Sequence, residues 1–279
     1  MMITDKIIKI LTEGGIEPSE ARVEAEILLE HFANFTPKDA IMGRTLDDDK
    51  LNIVIEKACL RAQTRMPIQH ITGFADFMGE KFIVNPSVLI PRDETEFLVR
   101  KAVEIINQNG FKTILDVGTG SGCIACMIAM HTNSQIIGLD ISNEALNTAL
   151  DNASRLNLFN KAIFRKSDIF SKIRDYEKFD VIVSNPPYIP ISEKKNIQKE
   201  VSFDPELALY AADEKGLEFY NKITSSAPAV LNKGGYILFE VGINQADDVG
   251  DILRANNFSN IEIIQDLAGI DRVVVGKFE

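Results

Sequence analysis

Ile114-Leu115-Asp116-Val117-Gly118-Thr119-Gly120-Ser121-Gly122 decides the fold. An apolar strand runs into glycines at alternate positions and then opens a helix at Cys123. Glycines let the backbone turn sharply and approach a ligand closely. Cys123 stands where a dinucleotide-binding loop places its last glycine, so the spacing is G-x-G-x-G and departs from that fingerprint. Alone, the loop reads equally as a ligand cradle or as a tight strand-to-helix turn.

Downstream of this loop, strands and helices alternate. The spacing predicts strands over 113–117, 135–139, 162–164, 179–183, 236–241, 261–264 and 272–277. Helices are predicted over 143–155, 216–227 and 244–255. Such alternation means a parallel sheet covered on both faces. The last two strands lie too close for a helical crossover, so the final strand is expected to run antiparallel. Upstream, residues 1–72 read as four or five short helices, with Gly14-Gly15 stopping the first and Thr36-Pro37 capping a later one. Residues 73–92 read as a β-hairpin linker that turns at Met78-Gly79. The expected class is α/β: a Rossmann-like seven-stranded sheet over 93–279, with a small N-terminal helical bundle joined by that hairpin.

Three further signals fall at strand ends. Asp140 ends the second strand, where a carboxylate can accept both hydroxyls of a ribose; a plain turn before the Ser142 cap is the alternative. Asp168 follows the third strand and can accept from an adenine amino group, while Ile169 and Phe170 can pack on the ring. A polar loop residue explains Asp168 equally well. After the fourth strand comes Asn185-Pro186-Pro187-Tyr188. The prolines cannot continue a sheet ladder, which frees carbonyls to face a pocket. The Asn185 oxygen and a proline carbonyl can together grip both hydrogens of a planar amino group, and the Tyr188 ring can cover its flat face. Glycine loop, ribose acid, adenine contact and amine clamp describe an adenosine cofactor facing an acceptor nitrogen. S-adenosylmethionine fits, with its methyl as the electrophile.

The bulk composition narrows the class. An apolar fraction of 45% supports a real core in 279 residues,. The net charge of -11 argues against a general grip on nucleic acid,. Three cysteines cannot form a paired framework and point to a reducing compartment,. Cys123-Ile124-Ala125-Cys126 reads as small apolar residues on a helix rather than a redox or metal motif, and no metal is expected. His31, His70 and His131 fall on helix or linker positions and are read as structural. The amphipathic N-terminus is unlike a signal peptide and no apolar stretch is long enough to span a membrane, so a cytoplasmic protein is expected. Asn34-Phe35-Thr36 is then a chance glycosylation match.

With these residues in place, the chain resembles the peptide chain release factor glutamine methyltransferases, within the class I S-adenosylmethionine-dependent methyltransferases. The resemblance runs through Pro67–Gly73, Val84–Arg92, Glu94-Thr95-Glu96, Gly118–Gly122, Asn185–Tyr188, Phe239-Glu240-Val241-Gly242 and Ala268–Arg272. It implies methyl transfer to the side-chain N5 of the glutamine in the Gly-Gly-Gln loop of class 1 release factors, with translation termination as the setting. It further implies Gly118, Thr119, Gly120, Ser121, Gly122, Asp140, Asp168, Ile169 and Asn185 at the cofactor, and Asn185, Pro186, Pro187 and Tyr188 at the acceptor amide. The helical domain would recognise the release factor, and the enzyme would act as a monomer. Asp93 departs from the family's usual proline, and Ile169 from a frequent aromatic. Three alternatives stay open: a glutamine in a ribosomal protein, adenine N6 in DNA, and a non-catalytic adenosine-binding module.

Overall fold

The computed structural model describes residues 3–279. The chain folds as two units. One comprises the residues up to Phe74 together with Gln198–Phe203; the other comprises Ala75–Ile197 and Asp204–Glu279.

The first unit is helical: α1 (Ile3–Glu13), α2 (Pro18–Ala33), α3 (Pro37–Ile41), α4 (Asp48–Thr64) and α5 (Ile68–Thr72). Ile7 and Leu11 of α1, Leu28 of α2 and Val54 of α4 are fully buried and form its core. The start of α3 is set by a capping box. The Thr36 hydroxyl accepts from the Asp39 N–H at 3.4 Å, and the Asp39 carboxylate accepts from the Thr36 N–H at 2.9 Å,. A β-carbon at Gly14 would collide with Ala62 of α4, so glycine is what lets the end of α1 lie against that helix. Arg61 of α4 is also fully buried and pairs with Glu24 of α2 at 2.9 Å.

The second unit opens with the hairpin β1 (Phe74–Phe77) and β2 (Glu80–Ile83). Its turn has positive φ at Met78 (51°) and Gly79 (84°), the backbone of a tight two-residue hairpin,. Then come α6 (Thr95–Asn109), β3 (Thr113–Val117), α7 (Cys123–His131), β4 (Gln135–Asp140), α8 (Asn143–Arg155), β5 (Ala162–Lys166) and β6 (Phe179–Ser184). After β6 the chain forms β7 (Ile189–Pro190), α9 (Glu206–Leu209) and β8 (Tyr210–Ala211), with β7 and β8 pairing in parallel. It closes with α10 (Glu218–Ser226), β9 (Leu231–Glu240), α11 (Ala246–Ala255), β10 (Phe258–Gln265) and β11 (Asp271–Phe278).

Seven strands form one sheet in the order β10-β11-β9-β6-β3-β4-β5. Strands β9, β6, β3, β4 and β5 run parallel. As the short final connection implied, β11 is antiparallel, and it inserts between β9 and β10. The middle strands are apolar almost end to end because helices cover both faces,. Helix α7 is buried from Cys123 to Ala129, and its small side chains let it pack tightly. The chain crosses from β3 to β4 on one side, then returns from the edge strand β5 to β6 on the other side of β3. Ligands in open α/β sheets bind at such a switch point, beyond the carboxyl ends of the strands.

Several elements differ in extent from the sequence reading. β9 begins at Leu231, which pairs with Phe179, rather than at residue 236; Asn232-Lys233-Gly234-Gly235 bulges out of the ladder, with Gly234 at φ 77°, before pairing resumes at Tyr236. β10 begins at Phe258, with an irregularity between Ser259 and Glu262 that breaks the alternating pattern. β11 gains one residue at each end. α10 starts at Glu218, since Gly216 has φ 71° and cannot be its first turn. Among the described residues, no helix is long and apolar enough to cross a membrane.

Candidate functional site

Sheet register sets the height of the site. Val117 pairs with Leu139 on one side and with Ser184 on the other. Gly118, Asp140 and Asn185 therefore leave the sheet at one level. Ser184 also pairs with Phe239, which places Asn185 beside Glu240 at the end of β9. A cavity of about 400 Å³ opens above these strand ends. Gly118, Thr119, Gly120, Ser121, Asp140, Asp168, Ile169, Asn185, Pro186 and Pro187 all line it.

The glycine loop is tied from below. The Gly118 and Thr119 N–H groups both donate to the Leu139 carbonyl at 2.8 Å. The Asp140 carboxylate accepts from the Gly120 N–H and the Ser142 N–H, each at 2.9 Å. Burial raises the Asp140 pKa, and these N–H donors oppose the rise,. Gly118 and Gly120 have φ of 74° and 55°, so both backbones sit in the left-handed region. A β-carbon at Gly118 would meet nothing within 4 Å and would project into open space on the cavity wall. Asn152 of α8 is fully buried and donates to the Ser121 carbonyl at 2.9 Å while gripping both backbone groups of Ile83. It fixes the loop to the hairpin. Asp116 lies beneath the loop, its Oδ2 accepting from the Thr119 hydroxyl at 2.6 Å; burial pushes its pKa up to about 7.

On the far side, Ser167 shapes the loop that carries Asp168 and Ile169. Its hydroxyl donates to the Ile169 carbonyl at 2.7 Å and accepts from the Lys172 N–H at 3.1 Å. These bonds hold Ile169 at φ 44°, a region that costs a β-branched residue energy,. The sequence gives no sign of that strain. Asp168 is exposed at the cavity edge.

Asn185 is half-buried and Pro186 is buried. The Asn185 Nδ2 donates to the Thr95 hydroxyl at 3.3 Å, and that hydroxyl donates to Glu240 Oε2 at 2.6 Å. Thr95 lines the cavity, as do Ser87, Val88, Leu89 and Pro91 from the connector before α6. Asp204 holds this connector, accepting from the Ile90 N–H at 3.3 Å and from Arg92 at 2.6 Å.

Two expected residues stand elsewhere. Gly122 is not on the cavity wall; it caps the start of α7, where a β-carbon would come within 2.9 Å of Ala149. Tyr188 is not on the wall either. Its carbonyl accepts from Gln245 at 3.0 Å, and its ring packs against the core under β9 and beside Gly242. Asp93 is exposed and off the cavity, so the departure from proline stays on the surface. His31, which packs on Phe32 at 4.6 Å between ring centres, His70 and His131 also lie outside it. Glu96 accepts from the Met78 N–H at 3.0 Å and pairs with Arg100 at 2.7 Å, while Glu94 pairs with Arg272 at 3.5 Å.

The sequence reading missed Thr95 and Glu240 as members of the site. Both lie in stretches that carry the family resemblance, but no local spacing joins residues so far apart in the chain. The residues present suit an adenosine cofactor: glycines whose side chains would fill the cradle, a carboxylate at Asp140 and apolar walls. Among the described residues, no group of His, Cys, Asp or Glu could hold a metal ion.

Comparison with known proteins agrees with this architecture. Residues 93–267 match the family described as a methyltransferase domain, and residues 4–73 match the PrmC N-terminal domain. The release factor glutamine methyltransferase of Clostridium acetobutylicum is 40% identical, covering 99% of this chain and 98% of its own. That of Neisseria gonorrhoeae is 36% identical over 92% of this chain and 93% of its own. Among solved structures, the hMettl16 catalytic domain superposes with a TM-score of 0.57 at 16% identity, covering 84% of each chain. A methyltransferase from Pyrococcus furiosus does so at 0.53 and 17%, over 82% of this chain and 98% of that one. The two structures share the fold, and the sequence relatives carry the assignment: this chain belongs to the release factor glutamine methyltransferase family.

Proposed function

We propose that this enzyme methylates the side-chain N5 of the glutamine in the Gly-Gly-Gln motif of class 1 peptide chain release factors, using S-adenosylmethionine. The observation that carries the reading is a single cavity walled by the glycine loop, Asp140, Asn185 and Pro186. When bound, S-adenosylmethionine supplies an electrophilic methyl group on sulfur. Gly118 to Ser121 and Asp140 would hold it, with Asp168 and Ile169 at its adenine end.

An amide nitrogen is a poor nucleophile because its lone pair is delocalised. The Asn185 oxygen and the Pro186 carbonyl accept the two N–H groups and aim the lone pair. As the new N–C bond forms and the S–C bond breaks, positive charge grows on nitrogen and strengthens both hydrogen bonds. That is binding specific to the transition state. Alignment of nucleophile and methyl supplies most of the remaining acceleration. The nitrogen sheds a proton to solvent after transfer, so no strong base is required beforehand. The helical unit recognises the body of the release factor, and the enzyme acts as a cytoplasmic monomer. An acidic enzyme, of net charge -11, suits a loop whose own target is RNA,.

The test is methyl transfer from labelled S-adenosylmethionine to a class 1 release factor, to its Gln→Ala loop variant and to duplex DNA. Label on the wild-type factor alone supports the reading. Label on DNA overturns it, and a signal that appears only with ribosomal proteins moves the substrate there. Gly118→Val should raise the cofactor Kd by at least about tenfold, because its side chain enters the cradle, and should cost about 1–2 kcal/mol for the left-handed backbone. Calorimetric titration and thermal melting check the two effects separately.

A further inference from the structure

We propose that Glu240, directly and through Thr95, is a positioning residue that fixes the Asn185 amide with its oxygen toward the acceptor glutamine. This rests on the amide-clamp reading above.

An asparagine amide is nearly symmetrical in shape, with an acceptor at one tip and two donors at the other. Flipped, Asn185 would point N–H groups at the N–H groups of the substrate and the clamp would fail. The three-residue chain forbids the flip. A carboxylate only accepts, so the Thr95 hydroxyl hydrogen goes to Glu240 at 2.6 Å, a short charge-assisted bond,. Thr95 has no second hydrogen, so toward Asn185 it can only accept. Asn185 must therefore present Nδ2, and it does so at 3.3 Å. Thr95 and Glu240 are each 3% exposed, which keeps water from replacing either link. The residues sit on α6, at the end of β9 and just beyond β6, so rigid elements hold the geometry.

The lock depends on the charge of Glu240. Burial and the like charge of Glu94 push its pKa up to about 7, against Arg272 and the Thr95 and Asn185 hydrogen bonds. Tyr188, Tyr220 and Cys123 face the same carboxyl. Once protonated, Glu240 can donate to Thr95, which then becomes free to donate to a flipped Asn185.

Steady-state kinetics on a class 1 release factor test the idea. Thr95→Val is expected to lower kcat by about tenfold to a hundredfold, the range seen when an outer-layer partner is removed, with cofactor Kd unchanged. Thr95→Ser should recover most of the loss. Wild-type kcat should rise with pH through neutrality, and Glu240→Gln should flatten that rise. Thr95→Val as active as wild type, together with a pH profile that Glu240→Gln leaves unchanged, overturns the inference alone. So does a loss that tracks cofactor affinity and melting temperature and is not recovered by serine. No transfer by the wild-type enzyme overturns the clamp reading itself.

Discussion

Asn185→Ala is expected to lower kcat for release factor methylation by about 10²–10³-fold, on the order of 3–4 kcal/mol of transition-state stabilisation. The acceptor lost is one whose hydrogen bond tightens as charge develops, so the effect should fall on kcat more than on KM. Cofactor affinity should fall much less than kcat, since the glycine loop and Asp140 keep their own hold on the cofactor without the amide. Asn185→Asp is informative because it keeps an acceptor but no longer donates to Thr95. Thr95, whose one hydrogen already goes to Glu240, would then face acceptors on both sides. Low activity in the aspartate variant would show that the donor side matters. Near-normal turnover by Asn185→Ala would remove the amide clamp from the mechanism.

Arg61→Ala should unfold the helical unit at markedly milder conditions, by about 3–5 kcal/mol, because it strands a buried carboxylate. Arg61 bonds Glu24 through Nε at 2.9 Å, Glu20 through Nη2 at 3.0 Å and the Arg65 carbonyl at 3.0 Å. Glu200, from the segment that belongs to this unit, adds a contact at 3.3 Å. Even with its partner present, burial holds the Glu24 pKa up at about 7. The folded state therefore keeps this proton at pH values where the unfolded chain has lost it. Stability from Glu24 is greatest below about 4.5 and declines as pH rises toward 7,. Losing Arg61 lifts the folded pKa further, so denaturation should show a larger deficit at pH 8 than at pH 6. Glu24→Leu in the Arg61→Met background should restore much of the loss, as apolar replacement of buried ion pairs often does. A pH-independent deficit would mean that lost packing, not the stranded charge, dominates.

The parallel sheet and the strand-end site were legible because both rest on local patterns. Apolar strands of the right length end in glycine, aspartate or asparagine, and the helices between them announce their caps. Ser142 and Thr36 cap as their positions suggested. What lay outside the sequence depends on contacts between distant segments. The polar start of β9 bulges out of the ladder between Leu231 and Tyr236, which only the pairing with β6 reveals. Tyr188 follows the clamp closely in sequence, yet the chain turns it toward the core under β9. Thr95 and Glu240 meet only because register sets Glu240 beside Asn185 and α6 brings Thr95 above both. The strained Ile169 backbone is likewise imposed by Ser167 from outside the residue.

The buried helix α7 has a practical consequence for watching this enzyme move. Cys126 is sealed on that helix, while Cys123 lines the cavity; burial pushes the Cys123 pKa up to about 12 and that of Cys126 higher still. Neither thiol is a nucleophile while the sheet is closed. Cys126 becomes an alkylation target only when the methyltransferase unit opens, so its rate of alkylation reads the frequency of opening. Cys59 is half-buried on α4 and gives a separate signal from the helical unit. The native chain thus carries a built-in clock for each unit, with no label introduced. Ligand that binds above the sheet should slow the first clock by the factor its affinity dictates.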